Sequence, residues 1–393
     1  MTAVAVTEQE WPAGWAGEVV VDLGAVRENA AALAERAERA AVMAVVKADA
    51  YGHGLVPGAR AALAGGASWL GVAQLEEALA LRAAGIGAPV LCWLFAPGQD
   101  LAPAVAAGVD LSASSPGAVA QAADGAARAG RPARLHLFVD TGLGREGAPP
   151  AAWPDLVAAA LAARAEGAVE VVGAWSHYAW ADAPEHPTVH RQTALFREAV
   201  ALAEAAGARF AVRHLANSAA TLTNPDARFD LVRPGLAVYG LSPVPDLGGP
   251  ARFGLRPAMT VRARLALVKE VPAGHGVSYA HQYTTTAPTR LGLVPLGYAD
   301  GVPRSASGAG PVRVAGGRTR VAGRVCMDQF VVDLAGLPGA GTARAGDEVV
   351  LFGDGRYGAP TAQEWAEAAG TISYEVVTRM SARLPRRYVG EAP

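Results

Sequence analysis

The chain is poor in lysine, cysteine and charge. Only two of its 34 basic side chains are lysines, Lys47 and Lys269, and arginine carries the rest of the positive charge. A guanidinium stays protonated in proteins, whereas a partly desolvated lysine can shed its proton and act as a nucleophile. A lysine kept in such a chain is therefore a candidate for amine chemistry. The two cysteines, Cys92 and Cys326, match neither a disulfide framework nor a zinc spacing, which fits a reducing compartment. Charged residues make up 18% of the chain, below the usual value of about 25%. A net charge of −2 offers neither a basic field for nucleic acid nor an acidic tail. No run of about 18 apolar residues is free of polar and glycine breaks, so no membrane-spanning helix is expected. The stretch Met1-Thr-Ala-Val-Ala-Val-Thr-Glu-Gln-Glu10 has no basic segment leading into an apolar one, and no secretion signal is read there. No spaced His, Asp and Glu set suggests a metal site. These absences predict a soluble, cytoplasmic protein with no metal, no nucleic acid and no membrane among its partners.

What is present is apolar and alternating. Hydrophobic residues form 51% of 393, enough for two or three domains or a large barrel with an appendage. Eight short apolar runs lie at 43–47, 69–73, 90–95, 109–112, 135–140, 169–176, 212–216 and 231–233. Between them come helical stretches such as 74–84, 116–129, 151–165 and 188–205. Strands alternating with helices eight times predict a (β/α)8 barrel. A strand at 18–22 and a helix over 25–40 precede it. After about residue 251 the texture turns to β-type runs at 259–271, 291–295, 312–314, 329–334 and 348–352, with a helical tail over 361–384. The expected domains are 1–255, a barrel with an N-terminal extension, and 256–393, smaller and mostly β.

The polar residues that follow the barrel strands carry the chemistry. Lys47 closes an apolar run in Val45-Val-Lys-Ala-Asp-Ala-Tyr-Gly-His-Gly54, with Tyr51 in a glycine-flanked turn and His53 as part of its architecture. Arg145 lies in Val139-Asp-Thr-Gly-Leu-Gly-Arg-Glu-Gly147, and His177 ends Trp175-Ser-His177. Asn217 and Ser218 end His214-Leu-Ala-Asn-Ser218, while Arg233 and Gly235 stand in Val232-Arg-Pro-Gly235. In such barrels the C-terminal strand ends bear the active site, so these placements agree. The later part adds Tyr279 in Gly274-His-Gly-Val-Ser-Tyr279, Tyr298 in Pro295-Leu-Gly-Tyr298, Met327 and Asp328 in Val325-Cys-Met-Asp328, and Tyr374 in Ile372-Ser-Tyr374.

In this order, over roughly residues 15 to 385, the motifs resemble those of the alanine racemase family. The resemblance implies that Lys47 holds pyridoxal 5'-phosphate as a Schiff base and, once released, is the base on one face of the substrate Cα. Tyr279 is the implied base on the other face. A phenol ionises near pH 10, so using one as a base at pH 7 leaves a shortfall of about 4 kcal/mol that nearby cations must reduce. A His177–Arg233 relay is a candidate for that task. Tyr51, Asn217, Ser218, Gly235 and Tyr374 are implied around the cofactor phosphate. His177 is implied against the cofactor ring, and Arg233 at its pyridine nitrogen, where a guanidinium cannot protonate the ring. Arg145 and the backbone N–H of Met327 are implied to hold the substrate carboxylate, Asp328 to orient that loop, and Tyr298 to narrow the entrance. The family further implies a homodimer with shared active sites and a supply of D-alanine for peptidoglycan.

Three residues depart from the family pattern. Phe138 stands where many members carry a lysine that is carbamylated to brace the arginine. Glu146 replaces an apolar or small polar residue, and Ala280 a common glycine. These departures raise a second expectation, a racemase of another small amino acid or a specialised-metabolism relative on the same fold and cofactor. A non-catalytic cofactor-binding protein is a third, opposed by the second domain and by Tyr279.

Overall fold

A computed structural model describes Trp11 and residues 15–390. The stretch Met1–Glu10, read above for a secretion signal, lies outside the described residues. The chain divides into two compact units, one reaching from the first described residues to Val21 and resuming over Met259–Val389, the other spanning Asp22–Ala258 with Gly390.

The first strand, β1 (Gly17–Asp22), pairs antiparallel with a strand almost 240 residues on, Gly17 opposite Ala263 and Val21 opposite Met259. The expected first domain of 1–255 keeps this strand with the barrel, whereas its ladder lies in the β unit. The reason is one of partners: Gly17–Asp22 is nearly all buried, and the strand that completes its hydrogen bonds is distant in sequence.

The (β/α)8 expectation holds. Strands β2 (Ala41–Val45), β3 (Trp69–Val72), β4 (Val90–Cys92), β5 (Asp110–Ala113), β6 (Ala133–Phe138), β7 (Val169–Trp175), β8 (Val212–His214) and β9 (Leu231–Val232) form one parallel sheet, β9 lying beside β2. The seam between β8 and β9 is bridged at Asn217 and Arg233, with Arg233 N–H donating to the Ala216 carbonyl at 2.8 Å. Helices follow the strands, including Leu75–Ala83, Pro116–Ala129, Trp153–Ala165 and Pro187–Ala205, and Leu23–Ala37 precedes β2. Being covered on both faces explains why the strands read as continuous apolar runs rather than alternating ones.

The second unit has a six-stranded sheet containing β1, β10 (Met259–Arg264), β15 (Pro311–Val314), β16 (Gly317–Arg320), β18 (Glu348–Phe352) and β19 (Arg386–Val389). Beside it are a three-stranded sheet of β11 (Leu267–Val271), β14 (Thr289–Val294) and β17 (Phe330–Asp333), and the pair β12 (Gly276–Val277) and β13 (Tyr283–Thr284). The run expected over 259–271 is thus two strands in different sheets. The helical tail over 361–384 is two short helices, Ala362–Ala369 and Ser373–Thr378, because Gly370 closes the first in the left-handed conformation at φ 66°. In this unit Arg262 and Glu18 are both fully buried and joined at 2.6 Å, with Glu348 and Arg387 completing the cluster. Burial pushes the Glu18 carboxyl up, but hydrogen bonds from Arg387 and Arg262 outweigh it and hold Glu18 below its ordinary value.

Among the described residues no helix is long and apolar enough to cross a membrane, and no three His, Cys, Asp or Glu side chains stand where they could hold a metal ion.

Candidate active site

Lys47 sits two residues past the end of β2, behind the fully buried Val46. The chain then turns with the wrong hand: Ala48, Asp49, Ala50 and Tyr51 all have φ of 53–55°. Left-handed helical geometry costs roughly 1–2 kcal/mol per L-residue, and four consecutive non-glycine residues hold it here. Strain of this kind persists only where the surroundings over-determine it, and it gathers at functional sites. The turn is tied by Ala50 N–H to the Val46 carbonyl at 2.8 Å, by Leu55 N–H to Asp49 Oδ1 at 2.7 Å, and by Ala48 N–H to Glu77 Oε1 at 2.6 Å. His53 joins it through Nδ1, 3.0 Å from the Ala50 and Tyr51 carbonyls, and stacks on Tyr239. Its expected role in turn architecture matches that placement.

Burial, followed by the repulsion of Arg145, lowers the pKa of Lys47, and Glu77 partly opposes them. The ammonium nitrogen lies 5.5 Å from the centroid of the Trp93 ring.

Arg233 is buried at the barrel seam. Its Nη1 donates to His214 Nδ1 at 3.0 Å, and its Nη2 reaches the Ser176 carbonyl at 2.8 Å and His177 Nδ1 at 3.2 Å. Its Nε–H meets no acceptor among the described residues and is left for a ligand. No carboxylate touches Arg233, and burial reinforced by Arg145 brings its pKa down to about 9. The expected His177–Arg233 contact is therefore present. His177 is held well below its ordinary value by burial and then by Arg233, Arg145 and Lys47, which makes it a neutral imidazole. Since Nδ1 faces a donor, the proton belongs on Nε2.

Behind Arg233 runs a chain that sequence reasoning did not identify. His214 Nε2 meets His136 Nδ1 at 2.8 Å, and His136 Nε2 meets Asp110 Oδ2 at 3.1 Å. Arg233 can only donate, so His214 accepts at Nδ1 and donates from Nε2, and His136 repeats the pattern toward a carboxylate. Burial raises Asp110, but His136 and Arg134 outweigh it and keep the carboxyl below its usual range. His136 and His214 both stood inside motifs, but nothing in the sequence joined strands β5, β6 and β8.

The phosphate-type cradle is next to the seam. Ser218 Oγ accepts from Gly235 N–H at 2.8 Å and Ala237 N–H at 3.3 Å, which leaves its own hydroxyl proton for a ligand. A Cβ at Gly235 would stand 2.3 Å from Tyr51 Oη, so only glycine fits beneath that phenol. Asn217 caps the helix Ser218–Thr223, accepting from Ala220 N–H at 3.1 Å. Arg145 lowers both Lys47 and Arg233, and all three lower His177, so this strand end is strongly cationic and suited to a doubly anionic ligand.

Phe138 is fully buried and stacks on Trp175 at 3.9 Å, while Trp175 also lies under Arg233 at 4.8 Å. Arg145 is exposed and forms no ion pair among the described residues. Asp140 is not its brace, because its carboxylate accepts from the N–H groups of Gly142, Leu143 and Gly144. Glu146 is raised by burial and lowered in part by Arg145, without an ion pair between them. Gln192, missed in the sequence because it sits mid-helix, ties two site loops by donating to Thr141 Oγ1 at 3.2 Å and to the His177 carbonyl at 3.0 Å.

The β unit brings together three more expected residues. Tyr298 N–H donates to the Cys326 carbonyl at 3.0 Å and Ala299 N–H to the Met327 carbonyl at 2.9 Å, so the loops carrying Tyr298 and Met327 are bound edge to edge. Ser278 Oγ donates to the Arg324 carbonyl at 2.8 Å, joining the Tyr279 loop to the same segment. Tyr279 is 68% exposed, its phenol open to a ligand or partner rather than packed. Its neighbours Ser278, Ala280 and His281 all have positive φ. Asp328 pairs with Arg383 at 2.8 Å, and Tyr374 is half-buried on the helix Ser373–Thr378.

A parallel barrel with a lysine and cationic cradle at its strand ends, followed by a β unit, defines a class of two-domain barrel enzymes. Two family descriptions match this chain, "Alanine racemase, N-terminal domain" over residues 21–243 and "Alanine racemase, C-terminal domain" over 258–388. The chain is 62% identical over 370 residues to an alanine racemase of Frankia casuarinae, covering 94% of this chain and 95% of that one. It is similar to the crystal structure of alanine racemase from D-cycloserine producing Streptomyces lavendulae, with a TM-score of 0.94 and 57% identity over 98% of this chain and 99% of that one. For the alanine racemase of Streptomyces coelicolor the TM-score is 0.93 and the identity 58%, over 95% and 98%. The chain belongs to the alanine racemase family, whose members are isomerases.

Proposed function

We propose that this protein interconverts L- and D-alanine with pyridoxal 5'-phosphate, using Lys47 and Tyr279 as bases on opposite faces of the substrate. The observation that carries the reading is Lys47 itself. It is a partly desolvated lysine on a strained turn, with its pKa lowered, beside a cation-lined cradle. The cradle suits the cofactor: the glycine gap under Tyr51, the Ser218 hydroxyl and the Arg233 Nε–H match a phosphate and a ring nitrogen. When bound, the cofactor supplies the electron sink that makes a Cα–H acidic enough for side-chain bases. Lys47 would anchor it, with Tyr51, Ser218, Gly235 and Tyr374 toward the phosphate, Asn217 fixing their turn, and His177 and Arg233 at the ring.

The remaining steps belong to the chain. Arg145 and the Met327 N–H hold the alanine carboxylate, and Tyr298 narrows the entrance. Lys47 Nζ removes or returns the Cα proton on one face, and Tyr279 Oη does so on the other. We further propose a homodimer in which Tyr279 enters the partner's site, located in the cytoplasm and supplying D-alanine for peptidoglycan. A different amino-acid substrate, suggested by Phe138, is not favoured, since the similar proteins above are named alanine racemases. Chiral analysis after incubating cofactor-loaded protein with each common L-amino acid tests the reading. Alanine should racemise fastest and Lys47→Ala should abolish it; racemisation of another amino acid in preference would refute the substrate.

A further inference from the structure

We infer that Glu77 is a positioning residue for Lys47, its carboxylate tying the turn that follows the lysine to the loop after β3 and keeping an anion beside the ammonium. The inference rests on the reading of Lys47 as the cofactor-anchoring base. Glu77 belongs to the helix Leu75–Ala83, where its Oε2 accepts from Ala73 N–H at 3.0 Å and Gln74 N–H at 3.1 Å. That is a helix cap, and one oxygen is sufficient for it. The other oxygen, Oε1, leaves the helix and accepts from Ala48 N–H at 2.6 Å. Ala48 is the first residue of the left-handed turn, a conformation that L-residues hold only when fixed from outside. The bond thus reaches from one barrel loop to the strained point of the next, immediately after the lysine.

Charge follows the same geometry. The charged groups that act on Lys47 are Arg145 from the loop after β6 and Glu77, with the Trp93 ring 5.5 Å from the amine, while Lys47 in turn acts on His177 in the loop after β7. Arg145 and burial favour the free amine, His177 is neutral, and Glu77 is the anion opposing them. Its neighbour Glu76 shares the helix but meets Gln99 instead, at 3.5 Å, and provides an internal control.

The test uses the full chain freed of cofactor, and follows the rate of pyridoxal 5'-phosphate attachment to Lys47 against pH, with borohydride reduction and peptide mapping to place the label. Attachment needs the free amine. Removing the anion in Glu77→Gln should move the midpoint down by about one pH unit, because the ammonium loses its counter-charge. Glu77→Asp should restore the midpoint toward the wild-type value, and Glu76→Gln should leave it in place. A Glu77→Gln variant that only melts earlier, with the midpoint unmoved, would reduce Glu77 to a cap and overturn the inference. Should that variant not fold, hydrogen exchange in the wild type decides: the Ala48 amide must be protected, and fast exchange there overturns the bridge. A wild type that carries no label on Lys47 would instead sink the functional reading, while the exchange result still judges the bridge.

Discussion

Arg145, proposed above to hold the substrate carboxylate, forms no ion pair among the described residues, and the kinetics should show it. Phe138, where the family resemblance implies a carbamylated lysine, is fully buried and stacked at 3.9 Å on Trp175, and its phenyl can form no carbamate. Asp140 is occupied by three backbone N–H groups, and Glu146 makes no ion pair with the guanidinium. A charge-assisted hydrogen bond to a guanidinium contributes about 1.5–3 kcal/mol, which corresponds to roughly a ten- to hundredfold difference in carboxylate affinity. Chloride, which can sit beside Arg145, should therefore lower the KM for alanine while changing kcat little, because it acts on binding before the proton transfers. The assay is steady-state racemisation over a chloride series with ionic strength held constant by a bulkier anion. Phe138→Lys extends it. Losing a buried phenyl removes about 1.5–3 kcal/mol of apolar burial and a further 0.5–1.5 kcal/mol of stacking, so this variant should melt several degrees lower. Added bicarbonate should then lower its KM by carbamylating the new amine. A wild-type KM indifferent to chloride, with a variant indifferent to bicarbonate, would show that Arg145 is already held and that the reasoning is wrong.

Four further outcomes follow. Tyr279→Phe should stop solvent-deuterium exchange into one alanine enantiomer while leaving cofactor binding intact, and normal exchange from both enantiomers would remove Tyr279 as a base. Mixing inactive Lys47→Ala and Tyr279→Phe subunits should restore part of the activity if sites are shared, and no recovery despite proven subunit exchange would refute sharing. Ala280→Gly should be neutral or stabilising by up to about 1 kcal/mol, since Ala280 has φ 61°, whereas Ala122→Gly within the helix Pro116–Ala129 should destabilise; urea melts of the two must differ in sign or clearly in size. Glu18 and Asp110 both lie below their ordinary values of 4.5 and 3.8, so the stability they contribute is fully present above those values and lost as pH falls through the lower folded ones. Urea midpoints should accordingly hold from neutral pH down to about 5 and fall below it, and Glu18→Gln should cost about 3–5 kcal/mol at pH 7 by leaving Arg262 and Arg387 without their shared anion.

The sequence by itself determined whatever depends on short-range pattern. Buried strands need continuous apolar runs, so all eight barrel strands were legible within a few residues, and Lys47, Arg145, His177, Ser218 and Arg233 could be placed beyond C-terminal strand ends because each closes a run or lies in the loop after one. Pro116–Ala129 and Glu348–Phe352 were readable to the residue, each bounded by turn or cap chemistry. What depends on distant partners was decided only by the tertiary structure. The strand Gly17–Asp22 belongs to the β unit because Met259–Arg264 supplies its ladder. The left-handed turn after Lys47 contains no glycine before Gly52, so no local signal announced it, and Asp49, Val46 and Glu77 are what fix it. The orientation of the Arg233–His214–His136–Asp110 chain required side chains carried by four different strands or the residues just after them to meet within hydrogen-bond distance. Hydrophobic periodicity records which face of an element is buried, but the identity of a buried polar group's partner is set by packing across the barrel, and that appears only when the strands are side by side.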